Sequence, residues 1–283
     1  MLGRALTRLI DAQAGWARPF GDWLHGAADA IFGRMVTIRS LLNGTWLGHP
    51  LHAVLTDVPI GALTVVIVLD LLGQPTAADA ALVLGILAMV ASAVIGFADY
   101  SVTDGKARVR ATVHSTLMIV ALLLYVVSLA LRAGSPVDRT APIILSIVAY
   151  LVLSAGGFVG GDVAYVLGNM VDRHAWRPAG TKWAPLEVGD LPEGQLVRGK
   201  LGAQNLVLVR QGDTILALHD QCAHAGGPLS GGRIVDGQVE CPWHQSRYEL
   251  TTGRRRRGPT VYDQPTYEVR PAEASGYEAR RTA

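Results

Sequence analysis

Each of the two cysteines in the chain has a histidine close behind it, in Cys222-Ala-His224 and Cys241-Pro-Trp-His244. Two cysteines exclude a disulfide framework and allow one disulfide at most. Two thiolates with two imidazoles form a donor set that could hold zinc. Several features favour iron and sulfide instead. A Cys-x-His turn brings both side chains to one side of a loop, and it reaches two atoms about 2.7 Å apart more easily than one. Each loop would then give its cysteine to one iron and its histidine to the other. Gly226, Gly227, Gly231 and Gly232 permit tight loops whose backbone N–H groups can point at sulfide.

The stretch Cys222-Ala-His-Ala-Gly-Gly-Pro-Leu-Ser230 is followed by Gly237-Gln-Val-Glu-Cys-Pro-Trp-His-Gln-Ser-Arg-Tyr248 and Thr252-Gly253. Over roughly residues 183–272 this resembles a ferredoxin-type Rieske [2Fe-2S] domain. The resemblance implies that Cys222, His224, Cys241 and His244 are the cluster ligands, and that Gly258-Pro259 belongs to a proline loop covering the cluster. Members that oxidise quinol carry an extra cysteine in each loop; the matching positions here are Gly227 and Trp243, so that disulfide is absent. Ser246 and Tyr248 match a serine and a tyrosine that hydrogen-bond a sulfide and a cysteine sulfur. Such donors stabilise the reduced cluster, so the resemblance implies a potential in the lower to middle part of the range of about −150 to +300 mV. Gln245 departs from the glycine usual after the second histidine.

A second group of chemically able residues begins with Gly48-His49-Pro50-Leu51-His52 and includes Asp57, Asp99, His114 and Asp162. Ionisable groups at membrane depth are costly and are usually paired or functional. Three readings compete. His52 and His114 could ligate a haem b; His49, His52 and Asp57 could bind a quinone headgroup and relay its protons; or the group could be a hydrogen-bonded cluster fixing helix ends. The pattern Gly-His-Pro-Leu-His…Asp-Val-Pro-Ile-Gly resembles a bacterial four-helix membrane family of undefined function, over about residues 40–168.

The elements that must position these groups are of two kinds. Half of the 283 residues are hydrophobic and only 17% are charged, and the mean hydropathy is +0.29. That excess is concentrated in four apolar runs, at about Val54–Leu72, Ala80–Ala98, Val113–Leu131 and Ala141–Phe158. Each approaches the roughly 20 residues that cross a bilayer core. Gly73-Gln74-Pro75 and Gly134-Ser135-Pro136 separate them. Basic residues precede the first run (Arg4, Arg8, Arg18, Arg34, Arg39), fill the second connection (Lys106, Arg108, Arg110) and follow the fourth run (Arg173, Arg177, Lys182). The first connection has none, and the third has Arg132 and Arg139. Both termini are therefore expected in the cytoplasm, where free thiolates persist.

In residues 1–48, Leu2, Leu6, Leu9 and Ile10, then Ile31, Phe32, Met35, Val36 and Ile38, have helical spacing with arginines between them. Trp16, Trp23 and Trp46 suit the headgroup region. This reads as amphipathic helices lying on the cytoplasmic face or packed on the end of the bundle. Met1 to Ile10 lacks the apolar core of a secretory signal. After Arg177-Pro178-Ala179-Gly180 come short β-type runs, among them Gln195–Arg198, Leu206–Val209, Ile215–Leu218 and Tyr267–Arg270. Turns such as Gln211-Gly212-Asp213 and Asp236-Gly237 separate them. No internal repeat is evident.

The expected architecture is multidomain: an N-terminal interfacial segment (1–48), an all-α four-helix transmembrane bundle (49–168), a linker (169–182) and a small all-β domain (183–283). The expected function is single-electron transfer between a cytoplasmic donor and a quinone or haem, at the inner (plasma) membrane. A tethered ferredoxin serving a separate membrane oxidoreductase, or a redox sensor, is the alternative. Partners would be a reductase or membrane oxidoreductase and lipid. A net charge of +2 gives no reason to expect nucleic acid. Fewer than about 40 residues follow His244, and they hold no histidine for a mononuclear iron triad, so a catalytic oxygenase subunit is not expected.

Overall fold

The computed structural model of the chain describes residues 2–134, 138–176, 180–273 and 275–282. Ser135, Pro136, Arg177, Pro178 and Ala179, and the side chains of Leu2 and Arg4, lie outside the described residues. Seven α-helices come first: α1 Leu2–Asp11, α2 Ala14–Phe32, α3 Val36–Leu42, α4 Leu51–Leu71, α5 Pro75–Tyr100, α6 Gly105–Gly134 and α7 Thr140–Gly161. The last of these runs on into one π-helical turn, Asp162–Val166. Ten strands follow. The chain forms two compact units, Met1–Met35 with Leu51–Asn169, and Val36–Pro50 with Met170–Ala283. Residues 36–50 thus belong with the β-rich unit, although 1–48 reads in sequence as one segment.

In the helical unit, α4 to α7 are long and apolar enough to cross a membrane, and only 17–28% of the residues of each span are buried. The apolar majority faces outward, as lipid-facing helices require. Two hairpins carry the packing. In α4–α5, Leu63 fills the space above Gly85, where a Cβ would come within 2.5 Å of its side chain. The turn between them uses Gly73 at φ +66° and starts α5 with Pro75 in its first turn. At the end of α5, the Ser101 and Thr103 hydroxyls donate to the carbonyls of Ala98 and Tyr100, which helix ends otherwise leave without partners.

The two hairpins bury side chains in the same pattern. Pro59, Leu63 and Val66 are buried in α4, and Ala121, Tyr125 and Ser128 are buried with the same spacing in α6. Ala78, Leu82, Gly85, Met89, Ser92 and Ile95 of α5 have their counterparts in Pro142, Ser146, Ala149, Leu153, Gly156 and Val159 of α7. The correspondence lies in which positions are buried, and the sequence by itself shows no repeat. Few residue identities are shared, because any apolar side chain of fitting volume serves a buried position.

Helices α1 and α2 pack on this bundle. Ile10 and Ala17 join Val113 and Val159 in one core cluster, and Arg110 bridges Asp11 and Asp162. The outer face of α1 and α2 keeps Leu9, Trp16, Phe20, Trp23 and Ile31 exposed. One face of α1 and α2 thus packs on the bundle, and the other keeps aromatic and aliphatic side chains exposed.

At the far end of these spans, Asp70 of α4 and Asp79 of α5 enter a network of ion pairs. Asp70 is buried against Arg132, with their side chains 2% and 1% exposed. Arg132 also reaches Asp79, which holds Arg139 as well. Removing one member of a buried pair strands the other charge. Asp70→Asn is expected to cost about 3 kcal/mol, the lower end for such a loss because Asp79 remains. The double change Asp70→Leu with Arg132→Met should recover most of it. Thermal unfolding of the detergent-solubilised variants measures both, and an unchanged midpoint in Asp70→Asn would refute the pairing.

The β-rich unit contains a closed barrel in the order β1-β10-β9-β4-β3-β2 and a four-stranded sheet β5-β6-β7-β8. The barrel strands are β1 Ala184–Glu187, β2 Val197–Leu201, β3 Gln204–Gln211, β4 Thr214–His219, β9 Thr266–Pro271 and β10 Tyr277–Arg281. The sheet consists of β5 Arg233–Val235, β6 Gln238–Glu240, β7 Arg247–Glu249 and β8 Arg255–Arg257. Asp236 and Gly237 turn β5 into β6 with φ of +50° and +72°, the two-residue hairpin suited to strand twist. Val207, Val209, Leu218, Leu229, Val239 and Tyr248 form a core shared by barrel and sheet. The cysteines lie in the loops leaving β4 and β6.

Candidate metal centre

The two cysteine loops are built alike. In the first, the Cys222 N–H donates to the Gly227 carbonyl and the Gly226 N–H donates back to the Cys222 carbonyl, both at 2.9 Å. In the second, the Cys241 N–H donates to the Ser246 carbonyl at 2.8 Å, and the Gln245 N–H donates to the Cys241 carbonyl at 3.0 Å. The residue closing each turn is left-handed: Gly226 has φ +87° and Gln245 has φ +65°. Glycine suits such a position, and any other residue pays for its Cβ. Gln245 is held there by Arg257, whose Nε and Nη2 donate to its carbonyl at 3.0 and 2.8 Å.

These loops bring the four donors together as two like pairs. The His224 and His244 rings lie 4.9 Å apart between centroids, at 84° to each other. The two cysteines are buried, free and neighbours. Among the described residues, no three His, Cys, Asp or Glu side chains close around one point as a single ion would need. Sulfur beside sulfur and imidazole beside imidazole is the order in which one iron takes two cysteines and the other two histidines. The fit has a second sign. His224 is buried, and neither of its ring nitrogens has a hydrogen-bond partner among the described residues, a costly arrangement unless a metal takes one of them. Burial, then the charges of His244, Arg173 and Arg39, push His224 well below the usual imidazole range. It is thus neutral, as a ligand must be.

The thiols are tuned in opposite directions. Burial raises Cys222, but hydrogen bonds involving Cys241, Tyr248 and the backbone at His224 and Ala225 outweigh it, bringing the thiol down to about 7. Hydrogen bonding to Cys222 and burial push Cys241 up. The Tyr248 hydroxyl lies 3.1 Å from Cys222 Sγ, and burial with the Cys222 charge keeps its proton on well above the usual phenol range. Tyr248 is therefore a permanent donor to that sulfur. Ser246 is fully buried; its Oγ accepts the Thr260 N–H at 3.2 Å, so its own proton remains to be donated. Gly227 has no room for a side chain, since a Cβ would meet Trp243 at 2.9 Å and Cys241 Sγ at 3.0 Å.

Three supports of the site carry no motif. Gln264 spans the first loop: its Nε2 donates to the carbonyls of His219 and Gln221, and its Oε1 accepts the Ala223 N–H. The carboxylate of Glu240 receives Arg233, Arg247 and Arg257. The segment 36–50 touches the proline loop, where the Gly258 N–H donates to Ser40 Oγ at 3.1 Å and Thr45 Oγ1 donates to the Thr260 carbonyl at 3.0 Å. Arg255, Arg256 and Arg257 are paired internally, with Asp263, Glu249 and Glu240. These three arginines therefore hold neighbouring strands and loops of the domain to one another. Arg173 and the buried Arg39 also lie on the His224 side.

Of the membrane candidates, His52 and His114 meet, with ring centroids 6.3 Å apart. Asp57 is exposed on α4, Asp162 is taken by Arg110, and His49 lies in the β-rich unit with Nδ1 near the Pro50 carbonyl. Of the six candidates, the ring contact of His52 with His114 is the one that brings two of them together within the helical unit.

A barrel bearing two matched cysteine–histidine loops, in one chain with four apolar spans, defines a membrane protein with an iron–sulfur electron-transfer domain. Residues 182–268 match the Rieske [2Fe-2S] domain family, and residues 48–173 match a predicted membrane protein family, DUF2231. The anthranilate 1,2-dioxygenase ferredoxin subunit of Burkholderia cepacia is 32% identical over 90 residues, which are 31% of this chain and 83% of that protein. The ferredoxin component of the naphthalene 1,2-dioxygenase/salicylate 5-hydroxylase systems of a Ralstonia species is 32% identical over 81 residues, 29% of this chain and 78% of that protein. A solved complex of reduced oxygenase and oxidized ferredoxin in carbazole 1,9a-dioxygenase aligns at 27% identity with a TM-score of 0.32, over 36% of this chain and 98% of that chain. The chain belongs to the Rieske [2Fe-2S] family, fused to a DUF2231 membrane domain.

Two substitutions test the local chemistry. Gln245→Gly removes a left-handed Cβ worth about 1–2 kcal/mol and adds some unfolded-state entropy. The β-rich unit should gain about 0.5–1 kcal/mol, read from thermal loss of the visible circular dichroism of the cluster; a lower midpoint would count against the loop geometry. Tyr248→Phe removes a donor that favours the reduced cluster. About 1 kcal/mol of differential stabilisation, or roughly 40 mV for one electron, should be lost from the potential, measured by redox titration followed by EPR.

Proposed function

We propose that Cys222 and Cys241 bind one iron of a [2Fe-2S] cluster and His224 and His244 the other. The domain carries single electrons between a donor in the cytoplasm and an acceptor in the membrane. The pairing of like donors supports the ligand assignment above all. The cluster supplies reversible one-electron exchange without bond making. The protein's residues do the rest. Tyr248 and Ser246 donate toward the sulfur side, the Glu240–arginine set fixes the loops, and the proline loop shields the centre.

The arginine and lysine distribution supports cytoplasmic termini and a cytoplasmic Rieske domain. The ferredoxin relatives support a second arrangement, in which a separate oxidoreductase takes the electron and the bundle serves as tether. A redox partner is common to both. Half-exposed His244, with exposed Pro242, Trp243 and Gln245 around it, gives such a partner an edge of the centre to approach.

The purified full-length protein should contain two irons and two labile sulfides per chain and give a reduced-state EPR signal, all lost in Cys241→Ser. One zinc with no sulfide would overturn the assignment. In inverted membrane vesicles, protease should release the Rieske domain; its protection there would reverse the orientation.

A further inference from the structure

The duplicated membrane hairpins each carry one histidine at the same place. His52 of α4 has Nδ1 3.0 Å from the carbonyl of Ser92 on α5, and His114 of α6 has Nδ1 2.8 Å from the carbonyl of Gly156 on α7. Ser92 and Gly156 are equivalent positions of the repeat. One turn further on, Gly96 and Gly160 are equivalent as well. A Cβ on Gly96 would come within 2.8 Å of the His52 ring, and one on Gly160 within 2.9 Å of the His114 ring. Each histidine is thus seated in a glycine notch of its own hairpin and anchored to a backbone carbonyl. A carbonyl only accepts, so both Nδ1 atoms carry the proton, and both Nε2 atoms keep a lone pair. No hydrogen bond to either Nε2 is formed among the described residues.

The rings meet across the repeat at 6.3 Å between centroids and 86° between planes. Two imidazoles on opposite sides of one metal, each nitrogen about 2.0–2.1 Å from it, have their centroids roughly 6.3 Å apart. Nδ1–H donation to a carbonyl is also the usual way a metal-binding histidine is oriented through Nε2. Bare edge-to-face packing of two rings allows the same separation but does not call for both Nδ1–H anchors at equivalent carbonyls. The number of ligands selects the metal centre. No third His, Cys, Asp or Glu joins the pair among the described residues, so an ion that needs three or four protein ligands is poorly served. A haem iron brings four nitrogens of its own and asks the protein for two.

We propose that His52 and His114 are the axial ligands of a b-type haem held between the two hairpins of the membrane unit. The site stands independently of the cluster assignment; only its role as electron acceptor rests on the function proposed above. In that role the step is a single electron. The mixed-valence cluster returns to two ferric ions, the ferric haem becomes ferrous, and no bond or proton moves.

The test uses the full-length protein, expressed with a haem precursor supplied and purified in detergent. The wild type should show Soret and α bands in the dithionite-reduced minus oxidised spectrum, with one haem per chain by the pyridine haemochrome assay. His52→Ala and His114→Ala should each lower haem content at least tenfold while iron–sulfur EPR intensity is retained, and His25→Ala should leave both unchanged. If an alanine variant does not fold, His52→Gly with added imidazole should restore the bands. Wild-type protein with a full cluster and no haem would overturn the proposal, as would haem kept at wild-type level in both alanine variants. Haem without the Rieske EPR signal would instead strike the cluster assignment and leave the haem site standing.

Discussion

Glu240 sits at the end of the central hairpin strand β6, one residue before Cys241, with its side chain 5% exposed and three arginines around it. Arg233 comes from β5, Arg247 from β7 and Arg257 from β8, so one carboxylate ties together every strand of the sheet. Burial works against its charge, yet the bonds from Arg247 and Arg233 and the charge of Arg257 hold it below the usual carboxylate range. A buried carboxylate with its partners in place is stable; with one partner missing it is a liability. The arrangement therefore fixes the sheet's register, and the register sets where the second cysteine loop begins. Arg257 extends the effect by gripping the Gln245 carbonyl, which lets a non-glycine residue hold a left-handed turn.

The site was legible in the sequence where chemistry is local. Cys222, His224, Cys241 and His244 are close in sequence within each loop, and their types restrict what they can bind. Strands β2, β3, β4 and β9 and the four spans follow from periodicity and length. What stayed hidden depends on partners distant in the chain. Gln264 reads as an ordinary polar residue until the fold closes it over the first loop. Glu240 looks like one more charge on an alternating strand, because opposite charges many residues apart reveal nothing until strands pair. Gln245 was noticed as an exception, but only the backbone shows that its position is the equivalent of Gly226.

The membrane unit shows the same division in another form. Its spans are obvious, yet the duplication behind them is not, since lipid-facing and core-facing positions both accept apolar residues with little identity. What the two halves keep in common is confined to places where chemistry or close approach forbids drift: a histidine, a carbonyl within its reach, and a glycine against its ring. The other end of the bundle has diverged completely. At the equivalent positions Asp70 and Arg132 carry opposite charges and pair with each other. One end keeps like with like, and the other has turned a repeat into a complementary pair.

Residues 36–50 add a constraint that neither domain implies by itself. They lie outside the Rieske match at 182–268, yet they pack as part of the β-rich unit. Their contacts fall on the proline loop rather than on the barrel: Ser40 and Thr45 bond Gly258 and Thr260, and the Thr45 carbonyl receives Arg255 at 2.8 Å. Gly258 is needed for this approach, since a Cβ would come within 2.4 Å of Thr45 Oγ1. The same fifteen-residue stretch ends at Pro50, and the first span begins at Leu51. The Gly258–Thr260 loop is thus bonded to the segment that precedes the first apolar span in the chain. A stretch outside the Rieske match thus completes the β-rich unit, and the bare backbone at Gly258 answers to that stretch rather than to the barrel.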